Sequence, residues 1–253
     1  MPLTSEILMR NLLFSFFLIA LLSACQKLPV YESQSYSGGL NTEAYQGNNS
    51  TYALSWNVYN DDESLVIDIA TAHKPSIVKI LRFGFQVSFD QKHDKIETYG
   101  INYPVKKQPS GAQSGNSGRR PSGRRPGQSQ EGIDPNKALE HLPKRVEINS
   151  LNGNTQTLID SLPKGYEIKL SITDEALHYF LKVPKADFVA ADQSEVSIGF
   201  KSGAMERRMS SGGAGPGGGG KRPDMGSRSG GMSSQMVEMM EPIKIWFKAQ
   251  LAG

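Results

Sequence analysis

Thr51-Tyr52-Ala53-Leu54-Ser55-Trp56-Asn57-Val58, the acidic turn Asn60-Asp61-Asp62-Glu63, and Ser64-Leu65-Val66-Ile67-Asp68-Ile69 decide the fold. In the first run Tyr52, Leu54, Trp56 and Val58 alternate with Thr51, Ala53, Ser55 and Asn57, and in the second Leu65, Ile67 and Ile69 alternate with Ser64, Val66 and Asp68. Successive side chains of a strand point to opposite faces, so a period of two marks a half-buried strand. Asn and Asp bond their own backbone and tolerate turn geometry. The two runs are therefore expected to form a hairpin, with Trp56 in the core beside Leu54 and Val58.

Working outward, the same period recurs. Phe83, Phe85, Val87 and Phe89 share one face of a further strand, Gln91 to Lys95 make a turn, and Ile96 to Tyr103 return until Pro104. Tyr166 to Ile172 and Leu177 to Val183 alternate around the loop Thr173 to Ala176, while Val196, Ile198 and Phe200 and then Ile243, Ile245 and Phe247 mark two more strands. Shorter pieces fall at Val146 to Ile148 and Thr157 to Ile159. Asp134-Pro135 has the form of a helix N-cap followed by Pro at the first helical position. Pro75 to Arg82 reads equally as one helical turn or an extended crossing. At least seven short alternating strands with one or two short helices predict an all-β chain, an antiparallel β-sandwich.

Two stretches, about 105–131 and 201–235, are too rich in Gly, Ser, Arg and Pro to bury a core. They are expected to be long disordered Gly/Arg-rich loops inserted into a single sandwich domain spanning 51–253. The net charge of +3 hides a segregation. Residues 105–130 carry Lys106, Lys107, Arg119, Arg120, Arg124 and Arg125 and no acid, and 201–235 carry six bases against Glu206 and Asp224. The remainder is acidic, so the expectation is an acidic sandwich with two cationic insertions. Five methionines between Met225 and Met240 give the second insertion some adhesive apolar character.

At the N-terminus, Met9-Arg10 precede an apolar run from Leu12 to Leu22 that closes on Leu22-Ser23-Ala24-Cys25, with the chain's one cysteine. A charged start, a short apolar region and small residues before a cut describe an export signal. The run falls short of the roughly 20 residues that span a bilayer. Leu-Ser-Ala-Cys resembles the lipobox of bacterial lipoproteins, which implies cleavage of a 1–24 signal peptide and lipidation of Cys25. The resemblance implies a palmitate-type acyl anchor and a cell-envelope location, with Gln26 favouring the outer membrane. Residues 25–50, mostly Ser, Gly, Asn, Gln and Tyr, read as a flexible tether. For an exported protein, anionic lipid headgroups, lipopolysaccharide phosphates or acidic polysaccharides suit the basic stretches better than nucleic acid does.

The span Tyr52 to Pro104, with Trp56, Asn60 to Leu65, Lys79-Ile80-Leu81-Arg82-Phe83-Gly84, Phe89-Asp90 and Gly100-Ile101-Asn102-Tyr103-Pro104, resembles the opening half of a class of envelope lipoproteins. These are similar in appearance to family 9 carbohydrate-binding modules and DOMON-type sandwiches. The resemblance implies a jelly-roll-like sandwich with a ligand site on its face or rim, where aromatic residues stack on sugar rings.

Two aromatic residues fall out of phase with their strands. Trp246 alternates with Ile245 and Phe247 and shares its face with Lys244 and Lys248, so it is expected to point away from the core. Such a Trp stacks on a sugar, meets a protein, or is covered by a loop, and the sequence leaves all three open. Phe180, beside His178 and Lys182, raises the same question. Trp246, Phe180, Lys244 and Lys248 are accordingly the candidate ligand-binding residues. His73, His93, His141 and His178 lack metal-ligand spacing, no metal or cofactor is expected, and no nucleophile or phosphate-binding motif occurs. The expected function is a lipid-anchored, non-catalytic binding module, with glycans as the ligand class. The alternative is an envelope structural or assembly protein whose basic loops hold a partner.

Overall fold

The computed structural model describes residues 27–40, 44–105, 134–151, 153–190, 193–205 and 234–252. The expected signal segment, Cys25 and most of both basic insertions lie outside the described residues. In chain order the elements are β1 (Val30–Glu32), β2 (Gln34–Ser35), β3 (Gly47–Asn49), β4 (Leu54–Asn60), β5 (Ser64–Thr71), α1 (Lys74–Phe83), β6 (Phe85–Asp90) and β7 (Tyr99–Asn102). Then come α2 (Pro135–Glu140), β8 (Arg145–Ser150), β9 (Gly153–Leu158), β10 (Glu167–Thr173), β11 (Ala176–Pro184), β12 (Glu195–Ser202), α3 (Ser234–Met240) and β13 (Lys244–Gln250). One sheet runs β1-β13-β12-β6-β7-β8-β9, and the second runs β10-β11-β5-β4-β2 with β3 also on β4.

The expected all-β sandwich is what forms. β4 and β5 pair antiparallel around Asp61, whose Oδ1 accepts from the Glu63 and Ser64 backbone N–H groups at 2.9 and 2.6 Å. Between the sheets lies an aromatic seam. Trp56 of the second sheet stacks on Phe247 of the first at 5.1 Å between centroids, and Tyr179 meets Phe85 edge-on at 5.2 Å. Each such pair contributes about 0.5–1.5 kcal/mol beyond the apolar area it buries.

The N-terminal stretch departs from the expected tether. β1 lies parallel to β13, β2 lies parallel to β4, and β3 runs antiparallel to β4, so the sandwich is not wholly antiparallel. Edge strands offer unpaired N–H and C=O groups that any backbone can satisfy, and pairing there needs no apolar alternation in the added strand. Ser33, between β1 and β2, fastens the two sheets. Its Oγ lies 2.5 Å from Asn60 Oδ1 at the end of β4 and 2.9 Å from the Gln250 carbonyl oxygen at the end of β13, and it accepts from the Ala252 N–H.

Three helices, not one or two, are present among the described residues, and all sit at one end of the sandwich. α1 resolves the ambiguous stretch 75–82 as a helix that buries Ile77, Ile80 and Leu81, with Pro75 in its first turn and Phe83 ending the helix instead of opening β6. It stops at Gly84, whose φ of +88° favours glycine. α2 starts at the expected cap, with the Asp134 carboxylate accepting from the Asn136 N–H at 3.0 Å. α3 packs near α1, over the buried Lys79, whose ammonium stands 5.4 Å from the Tyr52 ring. Burial pushes the Lys79 pKa down, and Glu238 and Glu241 oppose that shift. The register places the start of β6 beside the ends of β7 and β12, and the end of β12 beside the start of β13. The chain therefore leaves this end at Val105 and Met205 and re-enters it at Asp134 and Ser234.

Candidate functional site

Alternation along β13 buries Ile245, Phe247 and Ala249 and turns Lys244, Trp246 and Lys248 outward. Trp246 is half-buried there because it lies against Gly199, its cross-strand partner on β12. A Cβ at position 199 would stand 2.6 Å from Trp246 Cζ2, so only glycine admits the ring at this height. The register continues across the sheet as Trp246, Gly199, Ser88, Gly100 and Asn149. A large flat residue thus stands at one side of a row of small ones.

Beside that row runs a chain of polar contacts. Lys201 Nζ pairs with Glu97 Oε1 at 2.7 Å, and the Gln86 amide donates to Glu97 Oε2 at 3.0 Å and to Ser88 Oγ at 3.1 Å. Beyond it, Asn102 and Asn154 reach the Glu147 carboxylate at 3.4 and 3.5 Å, and the buried Asn149 Oδ1 has no hydrogen-bond partner among the described residues. Lys248 is not available as a free cation, since Glu195 holds it at 2.7 Å and His93 approaches the same carboxylate at 3.3 Å. Lys244 is exposed and forms no ion pair among the described residues.

Phe180 does not join this group. It projects from the outer face of the other sheet, in a cross-strand row with Asn57, Asp68 and Lys169. That face is largely covered by the N-terminal stretch. The Gln46 N–H donates to Asn57 Oδ1 at 2.8 Å, its side-chain carbonyl accepts from the Val58 N–H at 3.0 Å, and Tyr36 lies 6.3 Å from Tyr59. Asp68 is 1 % exposed, its Oδ2 has no hydrogen-bond partner among the described residues, and burial pushes its pKa up against the opposing pull of His178. The Tyr45 hydroxyl, also buried and without a hydrogen-bond partner among the described residues, is pushed up to about 12 by burial and then by Asp68. Phe180 is therefore the lip of a covered polar layer on the opposite side from Trp246.

The histidines stay apart. His73 faces Ser76 and Glu238, His93 faces Ser197 and Glu195, His141 borders a cavity at the helical end, and His178 lies on the outer face of β11. No group of three metal-type ligands occurs among the described residues. Gly199, Glu97 and Gln86 were not among the candidates drawn from sequence. Gly199 carries a faint signal, a glycine at an outward position of an otherwise regular strand, but its partner emerges only with the β12–β13 register.

No protein-family model matches the sequence, and no curated protein matches it. Among solved structures, a carbohydrate binding module family 9 protein from Caldicellulosiruptor kristjanssonii in complex with glucose aligns over 88% of this chain and 96% of its own. The identity is 6% and the TM-score 0.36. The site is accordingly read from this chain's own residues.

Proposed function

We propose that the chain is a lipid-anchored, non-catalytic binding module of the cell envelope that takes a glycan on the outer face of the seven-stranded sheet. The observation that carries this is Trp246, on the outer face of β13, packed against Gly199 and only half-buried. The C–H face of a sugar ring packs on an aromatic plane of that kind, while hydroxyls need donors and acceptors close by. Lys201, Glu97 and Gln86 supply both along the neighbouring row, and Lys244 adds a positive charge with no ion-pair partner among the described residues. In this reading Cys25 carries the acyl anchor and takes no part in binding.

Affinity electrophoresis of the purified chain against a panel of soluble polysaccharides tests the site. Retardation should fall by about tenfold or more in apparent affinity in Trp246→Ala, a loss of about 1.4 kcal/mol or more. Retardation equal to that of the parent chain in Trp246→Ala would remove the site, and no retardation by any polysaccharide would remove the glycan class. Labelling with an alkyne fatty acid in a bacterial host tests the anchor, with label expected on the parent chain and lost in Cys25→Ser.

A further inference from the structure

Away from that face, the helical end holds a half-open cavity of about 530 Å³ between α1 and α2. Its walls are Val78 and Leu81 from α1, Val105 after β7, and Ala138 and Leu142 from α2 and the residues that follow it. Two polar side chains among the described residues border it, Arg82 and His141, and none of these residues is an acid. Both are exposed, and Arg82 has no ion-pair partner among the described residues. An apolar pocket within the range of about 300–1,000 Å³ typical of small-molecule sites, with a guanidinium and an imidazole at its edge, is complementary to a molecule with an apolar body and an anionic head.

The sequence reinforces that charge. The first basic insertion begins one residue after Val105 with Lys106-Lys107 and ends just before Asp134-Pro135, so it leaves and returns at this cavity. The second leaves the same end after Met205, and its sequence holds Arg207, Arg208, Lys221, Arg222 and Arg228 with only Glu206 and Asp224 as acids. Eleven of the chain's 28 Lys and Arg residues thus belong to two segments that leave and re-enter the fold at the end where this apolar pocket lies.

We infer that this cavity binds the hydrocarbon chain of a single-chain anionic amphiphile, such as a fatty-acid carboxylate, with the head at Arg82 and His141. The chain packs against Val78, Leu81, Ala138 and Leu142, where it is removed from water. The head lies at the mouth, where a guanidinium hydrogen-bonds and neutralises a carboxylate without burying the charge. This site is independent of the Trp246 face, and its ligand shares no group with a sugar.

The test uses oleate as the probe, titrated below its micellar concentration into the purified full chain, with uncharged mono-olein as the control. Saturable one-to-one binding of oleate is expected, with mono-olein weaker by about tenfold. Arg82→Glu should weaken oleate by a similar factor and leave mono-olein unchanged, and Ala138→Trp, which fills the cavity, should abolish both. A photoactivatable palmitate analogue should label the peptides containing residues 78–82 or 135–143, which keeps the inference testable should Ala138→Trp fail to fold. Absence of saturable oleate binding, equal binding of oleate and mono-olein, or label confined to other peptides would overturn it. Adsorption to phosphatidylglycerol vesicles that persists in a folded Ala138→Trp, without oleate binding, would overturn it in favour of surface attraction through the basic insertions. Polysaccharide retardation measured on the same variants should be unaffected.

Discussion

Both tryptophans of the chain lie against a glycine on a neighbouring strand, and the two pairs differ in what stands on the far side of the ring. Trp56 rests on Gly47 of β3, where a Cβ would be 2.1 Å from Cε2, and its other side is closed by the stacked Phe247 with Phe200 and Tyr31 edge-on. Trp246 rests on Gly199 and has no aromatic neighbour among the described residues. The same local device, a glycine that lets an indole lie down on a sheet, makes a core block in one place and an open plate in the other. What separates a structural aromatic from a recognition surface is the second layer, not the strand that carries it.

The comparison breaks or sharpens by substitution, taken from the largest expected effect. Trp56→Ala empties an enclosed site and should cost about 3–5 kcal/mol in urea unfolding. Gly47→Ala forces a methyl into a ring with nowhere to go, and about 1–3 kcal/mol of overpacking is expected from the same measurement. Trp246→Ala should cost about 1 kcal/mol at most while removing polysaccharide retardation; a loss matching that of Trp56→Ala would make Trp246 a core residue and end the contrast. Gly199→Ala should cost still less, because the indole can swing toward solvent, yet it should weaken retardation by tilting the plate. Phe180→Ala, on the opposite face, should leave retardation as it is. If it weakens binding as much as Trp246→Ala does, the two faces do not act separately.

Most of the sandwich was legible because its longer strands alternate, although β4 and β5, expected to be half-buried, are covered on both faces. Leu54, Trp56 and Val58, Phe85, Val87 and Phe89, and Ile245 and Phe247 all announce their inward phase by alternation, and all are buried. β1, β2 and β3 were not legible, since strands of two or three mostly polar residues take their register from the edge they meet. α1 was ambiguous because Ile77, Ile80 and Leu81 span barely more than one turn, and α3 was hidden by the Gly/Ser-rich composition just ahead of it. Within the site, the outward phase of Trp246 could be read, but pairing with Gly199 could not. Nor could the separation of Phe180 from Trp246, because alternation tells inside from outside without telling which outside. The cover over Asp68 was invisible for the same reason, as it comes from Gln46 and Tyr45, more than twenty residues upstream.

The direction of β1 bears on how the molecule would stand on a bilayer. β1 pairs with β13 in the parallel sense, with Val30 beside Lys248. The chain before Val30 therefore heads back toward the first residues of β13, where the three helices lie. Between the sulfur of Cys25 and that strand are so few residues that, fully stretched, they reach about 17 Å. On the lipid-anchored reading the sandwich is moored upright and close, helical end down, with the edge beside Trp246 nearest the mooring line. A long leash would let every side sample the surroundings; on the same lipid-anchored reading, one this short would leave the plate facing sideways, across the surface and not into it.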